Sequence, residues 1–183
     1  MRVAIFGGTF DPIHSAHLIV AHEAAEAFEL DRILFIPAGN PPHKAAGAPY
    51  EDRYHMVELA CAADPRFQPS RIEEGSQKSY SIDTIERLTA PGQELFFIIG
   101  ADAFAEIQTW HRWQDVVRSV EFIVVTRPGH TCQSPDGAKV HRLDTVALPV
   151  SSSDIRQQLA QGRTPLALPA PVAEYIHRHH LYR

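Results

Sequence analysis

The stretch Val3-Ala4-Ile5-Phe6-Gly7-Gly8-Thr9-Phe10-Asp11-Pro12-Ile13-His14-Ser15-Ala16-His17 decides how the rest of the chain is read. An apolar run that ends on two glycines reads as a short buried strand followed by a turn. Glycine lets the backbone approach a ligand closely, and a helix starting after the turn offers unpaired N–H groups to an anion. The spacing is not G-x-G-x-x-G, and the Gly-Lys-Ser/Thr of a P-loop is missing. In its place stand His14 and His17, whose spacing of three puts both rings on one helix face beside the glycine turn.

Outward from this stretch the same kind of run recurs at Ile33–Ile36, Leu95–Ile99 and Phe122–Val125. Helical patterns lie between and around them at Ala16–Phe28, Asp52–Ala63, Ile82–Leu88 and Trp113–Val117. Residues 139–149 read as one more strand, and 152–161 and 170–180 as closing helices. Continuous apolar strands alternating with helices predict an α/β protein of the Rossmann-like kind. Its sheet is expected to be mostly parallel, with helices on both faces, in one domain over residues 1–183. One segment breaks the alternation: Pro37 to Pro49 holds four Pro and two Gly in thirteen residues, together with Lys44. It follows the second strand at the carboxyl edge, where open α/β sheets bind ligands. It is expected to be mobile without ligand and to order over the acceptor site.

Composition narrows the function. With 183 residues, 44% of them hydrophobic, the chain can bury a sizeable core. A net charge of −5 argues against a general nucleic-acid binder, so an anionic ligand must meet local positive charge or backbone N–H groups. No apolar segment suited to a signal peptide precedes Gly7, and no apolar run exceeds the length of a strand. Cys61 and Cys132 form no C-x-x-C and read as free thiols, which with the rest implies a cytoplasmic protein without a membrane anchor.

From spacing alone, three uses of His14 and His17 stay open. They can contact phosphate, they can ligate a metal together with Asp11, or they can be solvated or core histidines. The Glu of a zincin H-E-x-x-H is missing. A second patch, Val150-Ser151-Ser152-Ser153-Asp154-Ile155-Arg156, opens an amphipathic helix. Helix capping accounts for one or two of its hydroxyls. Arg156 in the first turn opposes the helix dipole unless an anion lies nearby, and a triphosphate would suit its planar fork of donors.

Together these motifs resemble a known family. Gly7 through His17 is similar to the G-G-T-F-D-P-x-H-x-G-H turn of the nucleotidyltransferase superfamily, and Val150 through Arg156 to its I-S-x-T-x-I-R motif. Further segments resemble the bacterial nicotinate-nucleotide adenylyltransferases: Pro41-Pro42-His43-Lys44, Ser79 through Thr84, Ile98 through Asp102, Thr109-Trp110, Arg127-Pro128-Gly129 and Leu181-Tyr182-Arg183. The resemblance runs in order along essentially the whole chain. Ala16 stands where the family usually has Gly, Ser153 where it has Thr, and Val150 where it has Ile; none removes a functional group.

The resemblance implies transfer of the adenylyl group of ATP to nicotinate mononucleotide, with pyrophosphate leaving and Mg²⁺ travelling with ATP. It implies that Gly7, Gly8, Thr9 and Phe10 hold the adenylate phosphate through the backbone, and that His14, His17, Ser152, Ser153 and Arg156 surround the ATP phosphates. Lys44 would reach the same phosphates or the incoming one. Gly100 and Asp102 would hold the adenosine side, and Tyr80, Thr84 and Trp110 would line the pyridine-nucleotide pocket. Preference for the acid over the amide acceptor would follow from a pocket of donors, with backbone N–H groups near Thr84 and the Trp110-His111 turn as candidates and Arg112 as an added charge. No protein metal ligands and no nucleic-acid partner are expected. On the residues alone, a nucleotide-binding module without turnover and a metal-dependent hydrolase using Asp11, His14 and His17 remain alternatives.

Overall fold

The computed structural model describes residues 1–41, 46–75, 78–146 and 149–183. Six strands are present: β1 (Arg2–Gly8), β2 (Arg32–Pro37), β3 (Phe67–Pro69), β4 (Glu94–Gly100), β5 (Glu121–Thr126) and β6 (Lys139–Asp144). They form one sheet in the order β3-β2-β1-β4-β5-β6, and every neighbouring pair is parallel. After β1 the chain builds outward to β3, then returns to lay β4 on the other side of β1. The order therefore reverses between β1 and β4, which opens a crevice at their carboxyl ends.

Helices cover both faces, and the central strands β1, β2, β4 and β5 are mostly apolar because neither of their faces meets water, whereas the edge strands β3 and β6 are more polar. Alternate side chains go to opposite layers. Ala4, Phe35, Phe96 and Ile98 pack beneath α1 (Ser15–Ala27), α2 (Tyr50–Cys61), α6 (Ser152–Ala160) and α7 (Ala170–Arg178). Val3, Ile5, Phe97, Ile99 and Val124 pack beneath α3 (Ser81–Leu88), α4 (Ala101–Ala105) and α5 (Trp113–Ser119).

Three differences from the sequence expectation have local causes. β3 is only Phe-Gln-Pro, too short and too polar to leave a pattern, and Pro69 is tolerated because β3 lies at the sheet edge. A short helix, α4, and a 3₁₀ turn at Ile107–Thr109 follow β4, where the residues are too mixed for periodicity to appear. β6 stops at Asp144 rather than 149; the Thr145 N–H still donates to Thr126 O at 3.0 Å. Pro42, His43, Lys44 and Ala45 lie outside the described residues, and with them the expected lid and the place of Lys44. No helix among the described residues is long and apolar enough to cross a membrane.

Candidate active site

β1 delivers its two glycines to the crevice. A methyl group on Gly7 would meet nothing within 4 Å, whereas one on Gly8 would touch the Phe10 ring at 3.3 Å. Phe10 itself has φ +49, a left-handed conformation that costs a side-chain-bearing residue roughly 1–2 kcal/mol. Packing holds it there: its ring lies edge-on to Phe6 and His17 and against Phe35. The buried ring pins the turn; Gly7 is exposed, while Gly8 O accepts from the Ala38 N–H at 2.9 Å.

His14 precedes α1 and His17 sits in its first turn, with ring centroids 3.9 Å apart. The His14 N–H donates to Nδ1 of His17 at 3.1 Å. An Nδ1 that accepts leaves the ring proton on Nε2, so the neutral His17 ring is a donor at its outer nitrogen. Burial pushes the His14 pKa down to about 4. It holds His17 well below the usual imidazole range too, with the neighbouring His14 adding to the effect. Both rings are therefore neutral near pH 7 and serve as hydrogen-bonding groups rather than as charges. His14 is 4% exposed, and its Nδ1 is buried with no partner among the described residues. The helix start is less open than expected, because the Ser15 N–H donates to Ala167 O at 2.8 Å.

Asp11 does not face the two histidines as a shared metal ligand. Its Oδ2 accepts from the Gly47 N–H at 2.6 Å, and its Oδ1 from the Ala48 N–H at 3.1 Å and the Tyr182 hydroxyl at 2.6 Å. Among the described residues no three His, Cys, Asp or Glu side chains gather as a metal site. Arg53, only 2% exposed, lies beside this turn. Its Nε donates to Ala48 O at 3.2 Å, and its Nη1 to Thr9 O at 2.8 Å and Ala38 O at 3.0 Å. One guanidinium thus ties both described ends of the Pro-rich segment to the phosphate turn. The sequence held a signal for it: Arg53 shares a helix face with Met56, Val57 and Ala60, all buried.

The second patch docks onto the first. Ser151 caps α6 by accepting from the Asp154 N–H at 3.1 Å, which spends the one hydroxyl that capping requires. Ser152 donates to Pro12 O at 3.0 Å. Arg156 donates through Nη1 to Asp11 O at 2.8 Å and through Nη2 to Ser153 Oγ at 3.1 Å. Its Nη1 also lies 3.8 Å from the Asp11 carboxylate. An anion near Arg156 is thus present inside the protein itself. Residues 140 positions apart are brought into one cluster with one guanidinium at its rim.

The residues assigned to the pyridine side stand across the sheet, against the other core layer. The Tyr80 ring lies tilted against His111 with centroids 4.3 Å apart, and Trp110 lies edge-on to Phe97 at 5.8 Å. Thr84 is buried and donates its hydroxyl to Glu73 at 2.8 Å, a contact not foreseen from sequence. Burial pushes the Glu73 carboxyl above its ordinary range. The expected backbone donors are largely spent: the Trp110 N–H goes to Ile107 O at 3.0 Å, and the Thr84 N–H points at Tyr80 O at 3.4 Å. Arg112 is paired with Glu86 at 3.0 Å and Asp115 at 2.8 Å rather than aimed at the pocket. Gly100 is exposed at the end of β4 and Asp102 is exposed in the first turn of α4, on the same carboxyl edge.

A parallel sheet with its order reversed at β1, a glycine turn with paired histidines, and an arginine facing that turn define a nucleotide-binding protein. A profile of the cytidylyltransferase-like family matches residues 5–158, and the chain belongs to that family. A relative from Solibacter usitatus, a probable nicotinate-nucleotide adenylyltransferase, is 58% identical over 187 residues, covering all of both chains. One of the same name from Thermus thermophilus is 42% identical, again over the full length of both. Within the family the chain stands with the nicotinate-nucleotide adenylyltransferases. The nicotinic acid mononucleotide adenylyltransferase of Plasmodium falciparum, solved in complex with NaAD, superposes with a TM-score of 0.83 at 19% identity, covering 99% of this chain and 97% of that one. At that identity it shares the fold.

Proposed function

We propose that the phosphate turn and the α6 cluster hold ATP while the Tyr80–Thr84–Trp110 side holds the acceptor. The reaction is transfer of the adenylyl group of ATP to nicotinate mononucleotide, giving nicotinate adenine dinucleotide and pyrophosphate. The 5′-phosphate of the acceptor attacks the α-phosphorus as pyrophosphate departs in line. An ionised phosphate has no proton to lose, so no general base is called for. Catalysis is then positioning and stabilisation of charge.

The observation that carries this assignment is the docking of Ser152 and Arg156 onto the turn that bears His14 and His17, with Ser153 accepting from Arg156. In the proposed arrangement the backbone of Gly7 to Phe10 approaches the α-phosphate. His17 donates from Nε2, and Arg156 meets the charge that builds on the departing pyrophosphate. Lys44 is assigned to the same phosphates, and Gly100 and Asp102 to the adenosine side. Mg²⁺ enters as part of the nucleotide substrate, held by phosphate oxygens and water. Two free cysteines are in keeping with a cytoplasmic setting.

Pyrophosphate release with ATP and a panel of acceptors tests the assignment: nicotinate mononucleotide, its amide counterpart and phosphopantetheine. Turnover is expected with the first, and loss of turnover in Arg156→Ala. Equal turnover with phosphopantetheine, or a fully active Arg156→Ala, refutes it.

A further inference from the structure

We propose that Tyr182 is a positioning residue for adenylyl transfer: through Asp11 it keeps the Arg156 guanidinium available to the triphosphate. The proposal rests on the assignment of Arg156 to the ATP phosphates.

Asp11 is 4% exposed and receives four donors. Three are neutral: the Tyr182 hydroxyl and the Gly47 and Ala48 N–H groups. The fourth, Arg156 Nη1, stays at 3.8 Å from Oδ2 while giving its hydrogen bond to the Asp11 carbonyl at 2.8 Å. A carboxylate and a guanidinium left to themselves close into a bidentate pair, which would spend the Arg156 fork on Asp11. The Ala48 N–H and the Tyr182 hydroxyl take both lone pairs of Oδ1, so a bidentate pair, which needs both oxygens, does not close. Tyr182 supplies one of the two shortest of these bonds, at 2.6 Å.

The packing says the same. A methyl group on Gly47 would come within 3.3 Å of Arg156 Cδ, Asp11 Oδ2 and Tyr182 Cε1 together. The arginine stem, the carboxylate and the tyrosine ring therefore converge over one glycine with no room to spare. The tail is bent to reach this point: His180 and Tyr182 adopt φ +56 and +61, left-handed conformations that side chains rarely take. Such strain persists where surrounding contacts over-determine it, and it gathers at functional sites. Burial and the Asp11 contact raise the Tyr182 pKa, so the phenol is a donor at neutral pH.

The test uses the full chain with saturating nicotinate mononucleotide and varied ATP, then the reverse. Tyr182→Phe keeps the ring and removes the donor. It is expected to lower kcat/KM for ATP about tenfold, equivalent to about 1.4 kcal/mol, with KM for nicotinate mononucleotide within about twofold of the parent. In an Arg156→Ala background, where ATP kinetics are already impaired, Tyr182→Phe is expected to add nothing. If Arg156→Ala itself leaves ATP kinetics unchanged, the site assignment fails first. If Arg156→Ala matters but Tyr182→Phe keeps parental ATP kinetics, weakens both substrates equally, or adds in full to Arg156→Ala, the positioning role is refuted. Should Tyr182→Phe not fold, Gly47→Ala takes its place: an ATP-specific loss supports the proposal, and parental kinetics overturns it.

Discussion

Replacing Arg53 by Met removes a cation that three carbonyls depend on. The guanidinium gives hydrogen bonds to Ala48 O, Thr9 O and Ala38 O at 3.2, 2.8 and 3.0 Å. Hydrogen bonds to a charged group contribute about 1.5–3 kcal/mol each. Removing the charge also relieves the cost of having buried it, which offsets part of that loss. The balance is a destabilisation of about 4 kcal/mol, in the range of a broken buried polar network. With an unfolding entropy of about 2.1 cal/mol/K per residue, a chain of this length loses about 10 °C in Tm. Thermal unfolding followed by circular dichroism measures it, with urea unfolding as the check on two-state behaviour. Arg53→Lys should lie between parent and Met, since a single ammonium cannot match the planar fork. Arg71→Met is the control: Arg71 is paired with Glu51 at the surface and its loss should leave Tm unchanged. A fall below about 3 °C for Arg53→Met would show that the three carbonyls find other partners and that Arg53 is no clamp.

His17→Ala should reduce kcat at saturating ATP by roughly a hundredfold or more, the usual loss for one preorganised donor, with KM for the acceptor little changed; near-parental turnover would remove His17 from the phosphate site. Stability should fall as pH drops from about 6.5 towards 4, because the unfolded chain takes up a proton at His14 near 6.5 and the folded chain only near 4; above 6.5 that contribution is fully present. The slope approaches 1.4 kcal/mol per pH unit for that group, about, and a His14→Gln variant whose urea midpoints track the parent over this range would contradict it. The ratio of kcat/KM for nicotinate mononucleotide over its amide should exceed ten, roughly, since an unmet buried donor costs about 1–3 kcal/mol. Because Thr84 now gives its proton to Glu73, binding a nicotinate carboxylate there requires that hydroxyl to turn, and a ratio near one would show that it does not.

Much of the fold was legible because its strands are buried on both faces, so runs such as Leu95–Ile99 are apolar without interruption. The phosphate turn was legible because glycines and histidines are placed by local spacing. What escaped depends on distance along the chain. Asp11 looked available as a ligand until Gly47, Ala48 and Tyr182 were seen to take three of its lone pairs. Arg156 called for an anion, and a carboxylate 145 positions earlier meets part of that demand. The backbone donors expected near Trp110 are consumed by a 3₁₀ turn, whose residues carry no periodic signal.

The bond between Tyr182 and Asp11 joins residues 171 positions apart, and synthesis gives that separation a duration. A ribosome adding about 5–20 residues per second needs roughly 10 to 35 s to travel from Asp11 to its tyrosine. Through that interval β1, α1 and β2 can pair and pack and the Gly47 and Ala48 N–H groups can reach the carboxylate, but Arg156 is unmade for most of it and Tyr182 for all of it. If Tyr182 acts as proposed, full use of ATP arrives at the end of translation rather than growing with the length of the chain. A premature stop between the end of α7 at Arg178 and Tyr182 would release a polypeptide with its sheet and most of its core but without the Tyr182–Asp11 bond. Such a product is expected to retain the sheet in its circular dichroism spectrum while using ATP at least about tenfold less efficiently than the full chain.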